Sequence, residues 1–284
     1  MFRTDADETK MLVEKLLDEN EQRAMNLFRL ILSSFAPFAF SDGKEFIIMQ
    51  TCETTPIWAW FCSDISDAAA ENAADIIADR VSKCADVQFN ADPNRAKKTL
   101  EILKNKHGIS AEKRMAMTAY VCRRPVVPAA KGEMTNPTAA DKETVADLLA
   151  QLVEDGEHST VPRDGALRFA ESVVGSKRVF LWKDGGKTRA MAVVAYEDEK
   201  TARINTVVTE RESRGNGYAG MLVSRMCEDL LEKGVEPMLY ADAENPSSNR
   251  AYIKTGFEKV GETQKLEVYL NRQEAALRIR SKAT

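Results

Sequence analysis

Cysteine, histidine and long apolar runs are scarce in this sequence, and each shortage excludes a class of protein. The five cysteines are scattered and form no Cys-x-x-Cys pair, which argues against a zinc site and against a disulfide framework. Only two histidines occur; His107 stands at a predicted helix end and His158 in a predicted polar loop, so neither is expected to be catalytic. The longest apolar runs, such as residues 46–49 and 190–196, are far too short to cross a bilayer.

A strong charge imbalance is also missing. Charges of both signs are mixed along the chain and the formal net charge is -4, which gives no electrostatic case for a nucleic-acid partner. The opening residues are acidic where a secretory signal would be basic and then apolar, so a cytoplasmic location without a membrane partner is expected. With 284 residues and 44% hydrophobic content, the chain is long enough to fill two domain cores.

A glycine-containing turn is the most informative stretch that is present. Residues 214–219, Arg-Gly-Asn-Gly-Tyr-Ala, follow a β-branched run and precede an apolar helical stripe. Amides at a helix N-terminus lack intrahelical acceptors and bind anionic oxygens, and Gly215 and Gly217 allow positive φ and close approach. Arg214 adds a positive charge. The turn is therefore a candidate phosphate site, with simple chain reversal as the alternative interpretation.

Two common phosphate-binding motifs are excluded at this turn. Gly215 and Gly217 lack the third glycine of the dinucleotide fingerprint, and no Gly-Lys-Ser/Thr follows, so Rossmann and P-loop interpretations fit poorly.

A second motif, Asn-Pro-Ser-Ser-Asn-Arg-Ala-Tyr-Ile-Lys-Thr-Gly-Phe, occupies residues 245–257. Asn245 before a proline is a favoured helix N-cap, and Asn249 and Tyr252, three residues apart, share a helix face. Together with Arg-x-x-Gly-x-Ala at residues 214–219, this motif resembles the coenzyme A-binding core of the GNAT N-acetyltransferases. The residues of this motif are most similar to those of the branch related to glycine N-acyltransferases. The resemblance covers roughly the last half of the chain.

The resemblance implies an α/β fold with a mixed sheet, acetyl-CoA as co-substrate, and direct acetyl transfer to a primary amine of a small molecule or peptide. Tyr252 would be catalytic and would supply a proton to the departing thiolate; a core tyrosine is its other interpretation. Asn245 could instead serve only as a helix cap. No metal is implied, and a homodimer is one option. The implied cofactor-binding residues are Thr206, Val207 and Val208 through their main chain, with Arg214, Gly215, Asn216, Gly217, Tyr218, Ala219, Asn245 and Asn249.

The general base stays open at this point. Glu197, Glu199 and Glu210 lie near the ends of predicted site strands, but each is also typical of a solvated surface carboxylate, and a bound water is the alternative. The acceptor amine is not readable from the pattern. A longer acyl group is a further option, as is an acyl-CoA-binding regulatory module without turnover or an interaction protein that binds no coenzyme.

The first half of the chain repeats the predicted element order of the second half and part of its sequence. Phe-Asn-Ala-Asp-Pro-Asn-Arg-Ala at residues 89–96 matches the stretch from residue 240 to 251. No glycine lies between Cys62 and Asp67, and no tyrosine follows Asn94 at the expected spacing, so this copy is expected to lack the chemistry. The predicted arrangement is a tandem with a degenerate GNAT-like domain at 1–125, a linker at 126–131 and a catalytic domain at 132–284, including a polar loop at 154–158 and a docked helix or loose tail after 271.

Overall fold

The structure is a computed structural model that describes residues 4–34, 38–84, 87–128, 131–157 and 160–270. The chain divides into two compact units. The first comprises the described residues up to Ala119, with Asp242–Glu244 and those from Val260; the second comprises Tyr120–Ala241 and Asn245–Lys259. His158, part of the predicted linker at 129–130, and the predicted tail at 271–284 lie outside the described residues. The predicted tandem relationship and its boundaries stay predictions.

The first unit packs helices against a mixed sheet. Its strands follow the order β1-β2-β3-β4-β11-β5. The pairs β1–β2, β2–β3 and β4–β11 are antiparallel, and β3–β4 is parallel. Strand β5 ends, and β11 begins, in the second unit. The elements are α1 (Ala6–Leu16), α2 (Glu19–Ala24), α3 (Leu27–Leu32), β1 (Phe38–Ser41), β2 (Phe46–Gln50), β3 (Ile57–Phe61), α4 (Asp67–Lys83), β4 (Val87–Ala91), α5 (Lys97–His107), β5 (Ile109–Cys122) and β11 (Phe257–Leu270).

The second unit repeats this kind of layering. Its strands follow the order β10-β9-β8-β7-β6, with β9–β10 parallel and the other pairs antiparallel. Both units therefore contain the order strand, helix, parallel strand, helix; β5 follows in the first case, and the first residues of β11 follow in the second. The elements are β6 (Glu133–Thr135), α6 (Lys142–Glu157), α7 (Arg163–Val173), β7 (Val179–Asp184), β8 (Lys187–Glu197), β9 (Thr201–Thr209), α8 (Tyr218–Glu232), β10 (Glu236–Asp242) and α9 (Pro246–Lys254).

Alternating side chains of β8 and β9 fill two separate cores in the second unit. On one face, Ala202 and Ile204 pack with the apolar side of α8, which includes Leu222 and Met226. On the other face, residues such as Val193 pack against α6 and α7. Because α8 is buried along this stripe, the turn that precedes it is held at the edge of the sheet.

Several local predictions are confirmed by the element bounds. The sequence predicts a helix over residues 67–83, and α4 spans Asp67–Lys83, with the Ser66 hydroxyl accepting from the Ala69 amide at its start. The sequence Asp-Gly-Gly-Lys at residues 184–187 predicts a hairpin turn, and the structure has one between β7 and β8, with φ of 59° at Gly185 and 76° at Gly186. Such a pair is required by a two-residue type I′ turn, which matches the twist of the strands it joins.

The predicted loop at 154–158 is wrong for its described part, because α6 continues to Glu157. Glu154 and Asp155 both accept from Arg211, each at 2.6 Å, and these long-range contacts stabilise a helix end that the local sequence does not favour. Strands β1 and β11 were not predicted.

Neither a membrane span nor a metal cluster is found where the chain is described. No described helix combines the length and apolar character needed to traverse a bilayer. No group of three or more His, Cys, Asp or Glu side chains among these residues is arranged to hold a metal ion.

Candidate functional site

Strand β9 is interrupted by a bulge at Thr206, which has a φ of 52°. The register changes between Val193↔Asn205 and Met191↔Val208, so two residues of β9 are inserted opposite one residue of β8. A bulge removes main-chain groups from the regular ladder and aims them elsewhere. For a β-branched residue the left-handed conformation is also strained, and such strain is concentrated at functional sites.

The pairing of β9 with β10 ends shortly before this bulge. The parallel register covers Thr201–Arg203 against Glu236–Met238, whereas both strands continue for several residues without further pairing to each other in the described structure. The bulge and the end of the register therefore leave main-chain groups of β9 available to a ligand. The predicted roles of Thr206, Val207 and Val208 depend on these groups.

The glycine turn presents uncapped amides. Gly217 is the N-cap of α8 with a φ of 79°, and it supplies no side-chain cap. The first helical bond runs from the Met221 amide to the Gly217 carbonyl at 3.0 Å, so the three preceding amides lack an intrahelical acceptor. Gly215 has a φ of 82°, and open space surrounds the Cβ position of both glycines. These observations fit a turn that holds an anionic diphosphate.

Arg214 does not point freely from this turn. Its guanidinium forms an ion pair with Asp155 at the end of α6. Hydrogen bonds from Arg211 and Arg214 hold the pKa of Asp155 below its usual range. Gln151 also links α6 to the segment that precedes the glycine turn, because its side chain donates to the Thr209 carbonyl at 2.9 Å and accepts from the Arg211 amide at 3.1 Å.

Two other turn side chains have structural contacts. The Asn216 amide donates to the Ser213 carbonyl at 3.1 Å, which stabilises the turn from within. The Tyr218 hydroxyl donates to Asp184 at 2.7 Å, and this hydrogen bond raises the pKa of Tyr218. Ala219 is half-buried at the second helical position.

The start of α9 is a hydrogen-bonded network. The Asn245 side chain accepts from the Ser248 amide at 3.1 Å, so Asn245 caps α9, and its role toward the cofactor stays a prediction. Asn249 donates from its side chain to the Asn245 carbonyl at 2.7 Å and accepts from the Tyr120 hydroxyl at 2.8 Å. These two bonds fix the orientation of the Asn249 side-chain amide.

Tyr252 occupies the next turn and is 9% exposed. Its ring centroid lies 6.2 Å from that of Tyr120 and 5.6 Å from that of Phe257. Its hydroxyl forms no hydrogen bond to any described residue. Burial raises the pKa of Tyr252, so the phenol stays protonated near neutral pH and can act as a proton donor. Tyr252 belongs to the apolar cluster against which Val207 and Tyr218 also pack.

Glycine contacts hold the two helices of the site close together. A Cβ at Gly220 of α8 would lie 3.2 Å from the Thr255 methyl carbon, directly after α9. At Gly256, with a φ of 93°, a Cβ would lie 2.1 Å from the Arg124 carbonyl oxygen, so only glycine fits.

The candidate bases are poorly suited to that role. Glu197 and Glu199 are exposed. The Ser213 hydroxyl donates to Glu210 at 2.6 Å and Arg189 pairs with it at 3.1 Å. These contacts lower the pKa of Glu210, whereas a general base at neutral pH needs a pKa closer to 7.

In the first unit, the positions that the predicted tandem would match with the glycine turn and with β9 are occupied by side chains. At the start of α4, the Glu45 carboxylate accepts from the Ser66 amide at 2.6 Å. An anion already occupies this helix start, and a phosphate would be repelled. Arg95 donates to the Phe61 carbonyl at 3.0 Å, at the end of the strand that corresponds to β9. The loss of chemistry in this half stays a prediction.

Sequence reasoning missed two residues of the second unit. Tyr120 lies far from α9 in the chain, and its bond to Asn249 has no local signal. Arg203 occupies a polar position in the alternating pattern of its strand, like many surface residues. Only the fold shows that its Nε is buried. His107, by contrast, pairs with Asp75 at 2.7 Å in the first unit and has no part in this site.

Comparison with known proteins supports a common fold. Residues 184–266 match the model of the family described as FR47-like protein. A GCN5-related N-acetyltransferase from Sphaerobacter thermophilus aligns with a TM-score of 0.57 and 15% identity over 93% of this chain and 91% of that one. An acetyltransferase of the GNAT family from Colwellia psychrerythraea aligns with a TM-score of 0.56 and 12% identity over 94% and 98%.

A third similar structure, a GCN5-related N-acetyltransferase from Kribbella flavida, gives a TM-score of 0.56 and 13% identity over 87% of this chain and 94% of that one. A search of curated proteins finds no match. The similarity to the glycine N-acyltransferase branch stays a prediction. The strand bulge, the glycine turn and the α9 network thus lie in a chain that has the fold of the GCN5-related N-acetyltransferases and carries the FR47-like pattern at residues 184–266.

Proposed function

We propose that the second unit transfers an acetyl group from acetyl-CoA directly to a primary amine. The observation that carries this proposal is that three features follow one another from β9 to the start of α8. They are the end of the β9–β10 register, the bulge at Thr206 and the uncapped amides of α8. Together they offer main-chain donors and acceptors to a long ligand with an anionic end.

In this proposal the amides from Gly217 to Gly220 hold the diphosphate, and Arg214 leaves Asp155 to join them. Main-chain groups at Thr206 and Val207 hold the extended arm and orient the acyl carbonyl. The bound thioester supplies the activated acyl group, so no covalent enzyme nucleophile is required. The neutral amine attacks the thioester carbonyl, and a C–N bond forms as the C–S bond breaks. The Tyr252 hydroxyl donates a proton to the departing sulfur, and the proton that the amine nitrogen loses passes to water, from which Tyr252 is reprotonated.

The Tyr252→Phe variant tests this function. Coenzyme A release is measured with a thiol reagent in the presence of amino acids, polyamines, aminoglycosides and peptides. We expect the kcat of the variant to fall about a hundredfold, because general acid catalysis supplies gains of this order. The dissociation constant for acetyl-CoA should stay unchanged, because the substitution removes only an oxygen atom.

Tyr269→Phe is the matched control, since it removes a phenol hydroxyl from an exposed side chain of the first unit. Absence of thiol release by the wild type with every amine, together with acetyl-CoA binding, would instead favour a regulatory module that binds the thioester without turnover. Absence of acetyl-CoA binding would refute both interpretations. Release with a longer acyl-CoA at higher kcat/KM would replace acetyl as the preferred group.

A further inference from the structure

Arg203 lies where the pairing of β9 and β10 ends. It is the last β9 residue in register with β10, opposite Met238, and Tyr196 of β8 is its partner on the other side. Its neighbours Ala202 and Ile204 point into the core beneath α8. Because side chains alternate along a strand, Arg203 projects from the opposite face, the face that α6 and α7 cover further along the sheet.

The guanidinium of Arg203 has no partner among the described residues. It forms no ion pair and no hydrogen bond there, and its Nε atom is fully buried without a hydrogen-bond acceptor. Burial lowers the pKa of Arg203, while the nearby Tyr240 acts in the opposite direction. The arginines of the glycine turn differ, since Arg211 and Arg214 both bind carboxylates.

Arg203 is half-buried, and the burial of its Nε without an acceptor is costly, because water is removed from that donor and no acceptor replaces it. Arginine binds carboxylates and phosphates with a planar pair of donors, so an oxyanion is the ligand that would satisfy it. Arg203 lies three residues before the bulge at Thr206, about 10 Å along an extended strand. This spacing suits a small acceptor whose amine and anionic group lie at opposite ends.

We propose that Arg203 binds an oxyanion of the acceptor, so that the substrate is a small primary amine carrying a carboxylate or a phosphate. The proposal rests on the acetyltransferase function proposed above. It assigns a specificity role to Arg203 on the sheet face away from α8, whereas the glycine turn holds the other substrate.

Matched amine pairs test the proposal with the full chain. L-alanine is compared with L-alaninamide, and O-phosphoethanolamine with ethanolamine, by coenzyme A release at saturating acetyl-CoA. We expect the anionic member of at least one pair to have a KM at least tenfold lower. The alanine pair favours a carboxylate, and the phosphoethanolamine pair favours a phosphate.

Arg203→Gln should raise the KM for the preferred anionic amine at least tenfold and leave the KM for its neutral partner unchanged. Arg203→Lys should recover part of the loss, because it restores the charge without the planar pair of donors. Arg225→Gln is the matched control, since Arg225 is exposed and pairs with Glu228 at 2.6 Å on α8. We expect this control to leave both KM values unchanged.

Each result separates the two proposals. Turnover without preference within either pair, or an equal rise of KM for both members in Arg203→Gln, overturns the role of Arg203 and leaves the acetyltransferase function intact. No turnover with any amine overturns the proposed function itself. The thermal transition of Arg203→Gln should not fall, because the variant removes a buried donor that has no acceptor; a fall of more than a few degrees would indicate a structural role and refute the proposal.

Discussion

Gly217 holds a backbone conformation that other residues adopt only at a cost. Its φ is 79° and the space around a Cβ is open, so the conformation alone selects glycine. We expect Gly217→Ala to lower the free energy of unfolding by about 1–2 kcal/mol. It should also weaken acetyl-CoA binding at least tenfold, because the amides that follow would be displaced.

Gly43→Ala is the matched control, since Gly43 also has a φ of 79° and open space but lies in the first unit. Denaturant unfolding should show a similar loss for both variants, whereas calorimetric titration should show weakened binding only for Gly217→Ala. Equal binding by both variants would exclude the turn from the coenzyme site.

At the scale of elements, α8 and α9 approach closely at one point. A Cβ at Gly220 would lie 3.2 Å from the Thr255 methyl carbon, a contact that requires one of them to move. Thr255 also donates from its hydroxyl to the Ala251 and Tyr252 carbonyls, and a serine would retain these bonds. Removing the methyl group should therefore relieve the contact without loss of hydrogen bonds.

We expect Gly220→Ala to lower the free energy of unfolding less in the Thr255→Ser background than in the wild type. The coupling free energy in this double-mutant cycle should be about 0.5–1 kcal/mol, measured by denaturant unfolding. Additive effects would mean that the helices have room to separate, contrary to the tight junction described above.

A second joint connects the start of α6 with β7. Asp141 accepts from Lys183 at 2.6 Å and from the Thr138 amide and hydroxyl, each at 2.9 Å. Burial alone would raise the pKa of Asp141, but these hydrogen bonds lower it below its ordinary value of 3.8. A lowered carboxyl pKa stabilises the fold above pH 3.8, and this contribution is lost as the pH falls through the folded-state pKa.

Asp141→Asn should therefore reduce the free energy of unfolding at pH 7 by about 2 kcal/mol, because Lys183 is left without its partner in a partly buried position. The difference from wild type should shrink as the pH is lowered toward 2. Asp147→Asn is the control; Asp147 pairs with Arg163 on the surface at 2.5 Å and should contribute under about 1 kcal/mol. A difference that is constant with pH would contradict the assigned ion pair.

At the scale of the whole molecule, the sequence predicted those parts of the fold that local signals determine. Helix α4 has a serine cap and an alanine-rich apolar stripe, and the β7–β8 hairpin has paired glycines, so both were placed correctly. The glycine turn was located for the same reason. Each of these features depends on backbone preferences within a few residues.

Features that depend on distant partners could not be predicted in this way. The last turn of α6 is stabilised by Arg211, and the bulge at Thr206 is visible only in the register between β8 and β9. Nothing near Tyr120 indicates its bond to Asn249. The absence of a partner for Arg203 in the described structure is likewise a property of the packed sheet.

The ion pair between Arg214 and Asp155 has a consequence for the release of any anion that binds the glycine turn. Asp155 is anchored by Arg211 and stays beside the turn when Arg214 leaves it. It then acts as a tethered competitor at high local concentration, ready to reclaim the guanidinium. The contribution of Arg214 to anion binding is then the difference between its attraction to the anion and its attraction to Asp155. Because this difference is small, the anion dissociates faster.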